Sequence, residues 1–219
     1  MAFGYPVMLE VTDRRCVVVG ADAVREGKPE GLLAAGATDV LVVADAPADR
    51  LARLEGIPGV RVHRRPWRPA DLDGAALVLA SSRDAEERAA LAREARARGA
   101  LVNVMDDVSA CDFAAPSVVR RGELVVAVGT GGASPALARA LRERFERELG
   151  PEWAEVVEVL REVRDRTRAL VPSLRVRAAR WREALDLAEA QELVRTGRAA
   201  ELRGRLVARI TADRTEVEP

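Results

Sequence analysis

Two adjacent carboxylates, Asp106 and Asp107, follow a short apolar run at residues 100–105. The run has the composition of a buried strand. In an open α/β sheet, the residues that follow a strand lie at the carboxyl edge, where such sheets bind ligands. A carboxylate at that edge can accept a proton from a bound substrate. Judged by residue type alone, however, Asp106 is better explained as a cap of the turn or helix that follows.

A second candidate site is a glycine-containing loop in which Thr130, Gly131, Gly132 and Ser134 precede Pro135. Ser134 is a favoured N-cap residue and Pro135 suits the first helical position, so a helix should begin here. Two glycines before a helix leave backbone N–H groups free to hold an anion. The alternative is that the glycines only form a turn, and the spacing does not decide between the two interpretations.

The elements that must position these residues alternate between strand and helix up to about residue 105. Apolar or β-branched runs predict strands at residues 15–20, 40–45, 77–80 and 100–105, and an alternating run predicts a further strand at residues 60–64. Helices are predicted between most of them, including residues 49–55 and 84–98. This alternation predicts an α/β fold with a right-handed, doubly wound parallel sheet.

Beyond the first sheet the pattern changes. Two β-rich runs flank Arg121-Gly122-Glu123, which predicts a hairpin or sharp connection. Helical spacing follows, and Trp181, Leu185 and Ala188 are predicted to begin one further helix. The polar tail after Thr211 is predicted to be loose.

Composition narrows the classes of function. Of 219 residues, 48% are hydrophobic, and the formal net charge is +0, so nothing global indicates nucleic acid or membrane partners. Cys16 and Cys111 are too few and too far apart for a metal cluster, and His63 is the only histidine. No metal site is predicted. With no signal peptide or bilayer-spanning run in view, we expect a soluble, cytoplasmic protein.

Several motifs, taken together, resemble one known family. The runs NVMDD, CDF, PSVVRRG and GTGGASPALARALRER, all between residues 103 and 144, resemble the siroheme synthase N-terminal family. Its members are precorrin-2 dehydrogenases, and some are also sirohydrochlorin ferrochelatases. Similar motifs upstream include Arg65-Pro66-Trp67, and the resemblance covers nearly the whole chain.

The resemblance implies a Rossmann-like NAD-binding-type domain at residues 1–113, a small α+β dimerisation region at 114–149 and a C-terminal helical domain at 150–219. It implies NAD-dependent dehydrogenation of precorrin-2 to sirohydrochlorin in siroheme or cobalamin biosynthesis, with insertion of Fe or Co as a second activity. Asp106 matches the aspartate to which the family assigns proton transfer, so it is the predicted catalytic residue. A homodimer with a tetrapyrrole substrate is expected.

The remaining site predictions follow from that resemblance. The substrate's carboxylates would bind the 130–134 loop and nearby arginines, which are Arg120, Arg121 and Arg139, with Arg142 as a further candidate. Each of these is otherwise a solvated surface arginine. The predicted cofactor-binding residues are Gly20, Ala21, Asp22, Ala23, Val24, Asp45, Ser81 and Ser82. Asp45 is placed to bond a ribose hydroxyl, or else is a turn residue before Ala46 and Pro47. The two serines equally suit the cap of the helix after them.

The glycine-rich loop departs from the family pattern. Only Gly20 remains of three glycines, and Asp22 brings a carboxylate to the position expected for the pyrophosphate. Arg25 should be too large to pack the helix against the strand. Pro29 would cost about 3 kcal/mol inside a helix, so the helix should start late, with Gly27 or Lys28 near its cap. These changes put NAD in doubt, and an NAD-independent sirohydrochlorin chelatase or a non-catalytic tetrapyrrole-binding protein is the alternative.

Overall fold

We describe the protein from a computed structural model, in which residues 4–45 and 48–212 are described. The chain divides into two compact units, Met1–Ala115 and Pro116–Pro219. The turn predicted at Ala46 and Pro47 lies outside the described residues, as does the tail from residue 213 onward. The division of the second unit into a dimerisation region and a helical domain stays a prediction.

The first unit is built on a five-stranded parallel sheet in the order β3-β2-β1-β4-β5. Its strands are β1 (Arg15–Val19), β2 (Asp39–Val43), β3 (Val60–His63), β4 (Leu77–Ala80) and β5 (Leu101–Val104). Its α-helices are α1 (Ala21–Arg25), α2 (Lys28–Ala34), α3 (Ala48–Ala52) and α4 (Ala85–Ala97). Short 3-10 helices cover Pro69–Leu72 and Val108–Ala110. The predicted doubly wound parallel sheet is confirmed.

Both faces of the sheet are buried at β1, β2 and β4, which explains why these strands are continuous apolar runs. The edge strand β3 alternates in sequence and is only partly buried. Successive residues of β1 enter different cores because side chains alternate along a strand. Val17 packs in the core that contains Leu91 of α4, whereas Val18 packs with Leu32 of α2 and Leu51 of α3. The two layers of helices therefore cover opposite faces and leave the carboxyl edge of the sheet to the loops.

The helix after β1 is interrupted, as its proline requires. The short helix α1 ends at Arg25, and Gly27 adopts a left-handed conformation with φ of 72°. The helix α2 then begins at Lys28 with Pro29 in its first turn, where the missing N–H has no helical partner to lose. The predicted late start with Gly27 at the cap is confirmed. The structure adds the separate five-residue helix α1 before it.

The second unit begins with an antiparallel hairpin of β6 (Ser117–Arg121) and β7 (Leu124–Val128), joined by Gly122 and Glu123. The predicted hairpin is confirmed. Five helices follow, which are α5 (Pro135–Glu148), α6 (Trp153–Leu170), α7 (Leu174–Ala184), α8 (Leu187–Arg195) and α9 (Ala199–Thr211). Apolar side chains of α6, α8 and α9 form most of this unit's core.

The prediction that Trp181, Leu185 and Ala188 begin one helix is wrong. Trp181 belongs to α7, which ends at Ala184, and Ala188 belongs to α8. The break arises because Leu185 and Asp186 are extended, and the Asp186 carboxylate accepts hydrogen bonds from the N–H groups of Ala188 (2.9 Å) and Glu189 (3.0 Å). Helical spacing alone did not reveal a cap placed between two helices.

Within the described residues, none of the helices has the length and apolar character needed to cross a membrane.

Candidate functional site: a dinucleotide-type cleft and an exposed aspartate

A cavity of about 320 Å³ opens at the carboxyl ends of β1, β2 and β4. The strand order reverses between β1 and β4, and open α/β sheets bind ligands at such a switch point. Of the predicted cofactor-binding residues, the cavity is lined by Gly20, Ala21, Asp22, Asp45, Ser81 and Ser82. Ala23 and Val24 are instead buried in the core beneath it.

Gly20 and Ser81 fasten together the loops that follow β1 and β4. The Ser81 N–H donates to the Val19 carbonyl at 2.8 Å, and the Ser81 hydroxyl accepts the Ala23 N–H at 2.8 Å. Gly20 has φ of 96°, and a Cβ there would lie 2.2 Å from the Ser81 carbonyl oxygen. Only glycine fits such an approach. The floor of the cleft is therefore fixed by contacts of the Ser81 backbone and hydroxyl with the backbone of the loop after β1.

The Asp22 carboxylate at the cleft is paired with arginines. Its Oδ1 lies 3.0 Å from Arg25 Nη2, and its Oδ2 lies 3.8 Å from Arg83 Nε. The expectation that Arg25 would keep the helix off the strand is wrong, because Arg25 points outward and the fully buried Ala23 makes the close packing. The sequence alone did not indicate that Arg83 lies beside Asp22, because the two residues are far apart in the chain and no motif marks Arg83.

One wall of the cleft is a hydrogen-bonded chain of side chains. The Trp67 indole N–H donates to Glu87 Oε1 at 2.8 Å, and the Ser82 hydroxyl donates to the other oxygen of Glu87. Beside it, both terminal nitrogens of Arg65 donate to Asp71 at 2.7 Å. Through these bonds the Arg65-Pro66-Trp67 motif, which the sequence analysis identified only by resemblance, supports the cleft.

Asp106 and Asp107 have different environments despite being neighbours. Asp107 is the N-cap of the Val108–Ala110 helix, accepting from Ala110 N–H at 3.3 Å and from the Ser109 hydroxyl at 2.6 Å. The Ser109 bond, followed by Arg88 at 3.4 Å, lowers the pKa of Asp107. The cap considered for Asp106 is therefore made by Asp107.

Asp106 itself is exposed and has a left-handed backbone with φ of 62°. Asp tolerates this conformation better than most residues. In the part of the chain that the structure describes, its side chain has no hydrogen bond or ion pair. The N–H of the preceding Met105 donates to the Ala80 carbonyl at 2.8 Å, so Asp106 lies at the same sheet edge as the cleft.

The loop that presents Asp106 is fastened by the residues of the NVMDD and CDF motifs. The Cys111 sulfur accepts the Val104 N–H at 3.1 Å, and burial raises the pKa of this thiol. The Asn103 amide donates to the Phe113 carbonyl at 2.8 Å, and Asp112 accepts the Val102 N–H at 3.0 Å. These bonds hold residues 111–113 beside β5, so both ends of the loop that carries Asp106 are fixed.

In the second unit, Thr130 and Ser134 close the glycine loop. The Thr130 hydroxyl accepts the Ser134 N–H and donates to the Ser134 carbonyl, both at 3.2 Å. Ser134 caps α5 by accepting the Leu137 N–H at 3.1 Å. Among the hydrogen bonds of the described residues, none uses the N–H of Gly131 or Gly132. The turn is thus established by its own hydroxyls, and anion binding by the two free N–H groups stays a prediction.

The predicted substrate-binding arginines differ in availability. Arg121 donates to the carbonyls of Leu149 (2.7 Å) and Glu146 (3.0 Å), so it fastens the hairpin to the end of α5. Arg139 pairs with Glu143 one helical turn away, and Arg142 likewise pairs with Glu146. Arg120 is exposed and has no ion pair among the described residues. It is therefore the most accessible cation of this group.

The cleft residues fit a dinucleotide. Gly20 lines the cavity at the turn after β1, where the absence of a Cβ lets the Ser81 loop approach closely, and the Asp45 carboxylate at the end of β2 suits a ribose hydroxyl. The objection raised by Asp22 is reduced, because two guanidinium groups neighbour its single carboxylate. Within the described residues, no group of three or more His, Cys, Asp and Glu side chains is placed to hold a metal ion.

The sheet order, the glycine turn after β1 and the acid after β2 define a Rossmann-type dinucleotide-binding domain. Comparison with known families agrees. Residues 7–117 match the family described as "Putative NAD(P)-binding", and residues 121–148 match "Sirohaem biosynthesis protein central". The chain belongs to the siroheme synthase N-terminal family, as its motifs predicted.

Its relatives include siroheme synthases of Chromobacterium violaceum, 37% identical over 95% of this chain and 44% of the relative, and Methylococcus capsulatus, 35% identical over 89% and 40%. The siroheme synthase of Methylobacillus flagellatus is 43% identical over 64% of this chain and 30% of the relative. The chain thus spans less than half the length of these relatives. The fold is also that of a solved structure titled "SirC, precorrin-2 dehydrogenase", with TM-score 0.64, 23% identity, and coverage of 95% of this chain and 100% of that one.

Proposed function

We propose that the chain is an NAD-dependent dehydrogenase that converts precorrin-2 to sirohydrochlorin. Family membership across both units supports the reaction. The observation that carries it in the structure is the combination, at one sheet edge, of a dinucleotide-type cleft and an exposed aspartate, Asp106, that has no partner among the described residues. NAD+ supplies the hydride acceptor when bound.

In this proposal, each residue at the edge has a distinct task. Gly20 holds the turn after β1 against the Ser81 loop and so keeps the floor of the cleft in place for the cofactor's phosphate region. Asp45 bonds a ribose hydroxyl, which orients the cofactor in the cleft. Asp106 accepts the proton that leaves the substrate together with the hydride. Asp107 does not compete for that task, since its carboxylate is occupied by Ser109, Ala110 and Arg88.

The second unit would hold the substrate's acidic side chains. The N–H groups of Gly131 and Gly132 are the donors in this proposal, with Arg120 as the cation. A homodimer is part of the proposal, supported by the largely exposed α5, in which only Ala138 is buried. We also expect the protein to act in the cytoplasm.

A decisive experiment is an anaerobic assay of the purified chain with precorrin-2, with and without NAD+, followed by absorbance. Formation of sirohydrochlorin only when NAD+ is present would support the dehydrogenase. The matched variant Asp106→Asn should bind the cofactor normally and lose turnover. A wild-type chain that binds precorrin-2 but never oxidises it would refute the proposal.

The second candidate is an NAD-independent sirohydrochlorin chelatase or a tetrapyrrole carrier, and the carboxylate of Asp22 at the cleft favours it. In this case calorimetry would show no NAD+ affinity in the wild-type chain, and the substitutions Ala21→Gly and Asp22→Gly would create it. A metal titration with sirohydrochlorin distinguishes a chelatase from a carrier.

A further inference from the structure

Backbone groups provide little for an anion in this cleft. Helix α1 has five residues, and among the hydrogen bonds of the described residues only the N–H groups of Ala21 and Asp22 at its start are unused. The Ala23 N–H donates to the Ser81 hydroxyl at 2.8 Å, and the Val24 N–H donates to the Gly20 carbonyl at 3.3 Å. A cofactor diphosphate therefore needs positive charge from side chains.

Two arginines line the cavity, and only one of them is available. Arg65 is engaged by Asp71 through two bonds of 2.7 Å. The Arg83 side chain is 90% exposed, and its nearest acidic partner, Asp22, is 3.8 Å away. That separation is longer than a hydrogen bond, and none of the hydrogen bonds within residues 4–45 and 48–212 uses the Arg83 guanidinium, so its donors are available to a ligand.

The backbone of Arg83 is held at the rim of the cleft. It follows Ser82, whose hydroxyl bonds Glu87, and its carbonyl accepts a hydrogen bond from Arg88 at 3.2 Å. The Ser81 contacts described above fix the distance between this loop and the loop that carries Asp22. Arg25, at 3.0 Å, offsets the charge of Asp22 and leaves Arg83 as surplus positive charge.

We propose that Arg83 is the residue that binds the cofactor's diphosphate in this chain, in place of the missing glycines of the loop after β1. The inference rests on the proposed function, since it assumes that the cleft takes a dinucleotide. A guanidinium is suited to the task because it donates two parallel hydrogen bonds to phosphate oxygens.

The test is direct binding rather than turnover. Wild-type chain, Arg83→Gln and the control Arg93→Gln are titrated with NADH and with ADP-ribose by calorimetry. Arg93 is a suitable control because it is an exposed arginine on α4 outside this cavity, with 69% side-chain exposure. Arg83→Gln should weaken both ligands at least about tenfold, as expected for loss of a charged hydrogen bond, while Arg93→Gln should match wild type.

Two further measurements sharpen the result. Affinity of the wild-type chain should fall with added salt, and Arg83→Gln should show a smaller fall, because one fewer charge contacts the ligand. Thermal melting of the free Arg83→Gln protein should be unchanged, given the exposure of this side chain. Equal NADH affinity in Arg83→Gln and wild type would overturn the inference and leave the proposed function intact. A wild-type chain that binds neither ligand would overturn both.

Discussion

Among the charged groups described in the first unit, we expect the buried carboxylate of Asp71 to contribute most to the free energy of unfolding. Asp71 is 6% exposed, accepts two hydrogen bonds of 2.7 Å from Arg65 and accepts the Arg68 N–H at 2.7 Å. The nearby His63 ring nitrogen is 3.6 Å away. The substitution Asp71→Asn keeps the shape of the side chain and removes its charge, so it isolates the electrostatic part of these contacts.

The expected loss can be worked from the pKa of this group. The Arg65 hydrogen bonds, more than the Arg68 N–H, lower the pKa of Asp71 from 3.8 to about 2. One pKa unit corresponds to about 1.4 kcal/mol. Asp71→Asn should therefore lower the free energy of unfolding by about 2 kcal/mol at neutral pH.

The pH dependence has a definite sign. Because the pKa is lower in the folded protein, folding favours the ionised form, and the stabilisation is complete well above the unfolded value of 3.8. It is lost as the pH falls through about 2. The difference between wild type and Asp71→Asn should accordingly shrink to roughly half its neutral value near pH 3.

Urea unfolding followed by circular dichroism measures both effects. The matched control is Asp39→Asn, which breaks the pair with Arg61 (2.6 Å), whose two side chains are 39% and 54% exposed. An exposed pair contributes about 0–1 kcal/mol. If Asp71→Asn costs no more than Asp39→Asn, or if its effect grows on acidification, the reasoning is refuted.

Other predictions concern the sheet edge and the second unit. Asp106→Asn should reduce the proposed dehydrogenation by about 100-fold or more with unchanged NADH affinity; identical turnover in Asp106→Asn and wild type would contradict the assignment. Asp107→Ala should instead lower thermal stability, because it removes the side-chain oxygen that caps the Val108–Ala110 helix. Gly20→Ala should lower the free energy of unfolding by about 1–3 kcal/mol and weaken cofactor binding, because the added Cβ would collide with Ser81. Urea unfolding and calorimetry measure the two effects, and a variant as stable as wild type would contradict the prediction. In Glu189→Gln, the second unit should lose stability that is present at neutral pH and disappears between about pH 4.5 and 2, since two arginine hydrogen bonds lower the pKa of Glu189 from 4.5 to about 2; an acid unfolding curve identical to wild type would exclude it.

Much of the first unit was predictable because its determinants are local. Continuous apolar runs marked the buried strands, since a parallel sheet buries both faces, and an alternating run marked the edge strand β3. The break before α2 followed from Pro29, whose ring and missing N–H fit only a first turn. The hairpin at Gly122 was readable for the same reason, because turn residues act over a few positions.

Relations between distant residues were beyond sequence reasoning. Nothing near Asp22 indicates that Arg83 lies across the cleft from it, nor that Arg25 faces solvent rather than the strand. Arg121 likewise donates to the carbonyl of Leu149 at the end of α5, 28 residues later in the chain. Such pairings depend on how the chain returns in space, and charge or spacing alone does not specify them.

The two adjacent aspartates, Asp106 and Asp107, show most clearly which properties the sequence determines and which depend on the folded structure. By itself the sequence determined that carboxylates follow the fifth strand, and the surrounding motifs determined the family. Only the tertiary structure decided which carboxylate is occupied, since Asp107 meets Ser109 and Arg88 while Asp106, with its left-handed backbone, stays exposed. The physical reason is that a side chain's availability depends on backbone direction and on neighbours brought close by folding, and residue type carries neither.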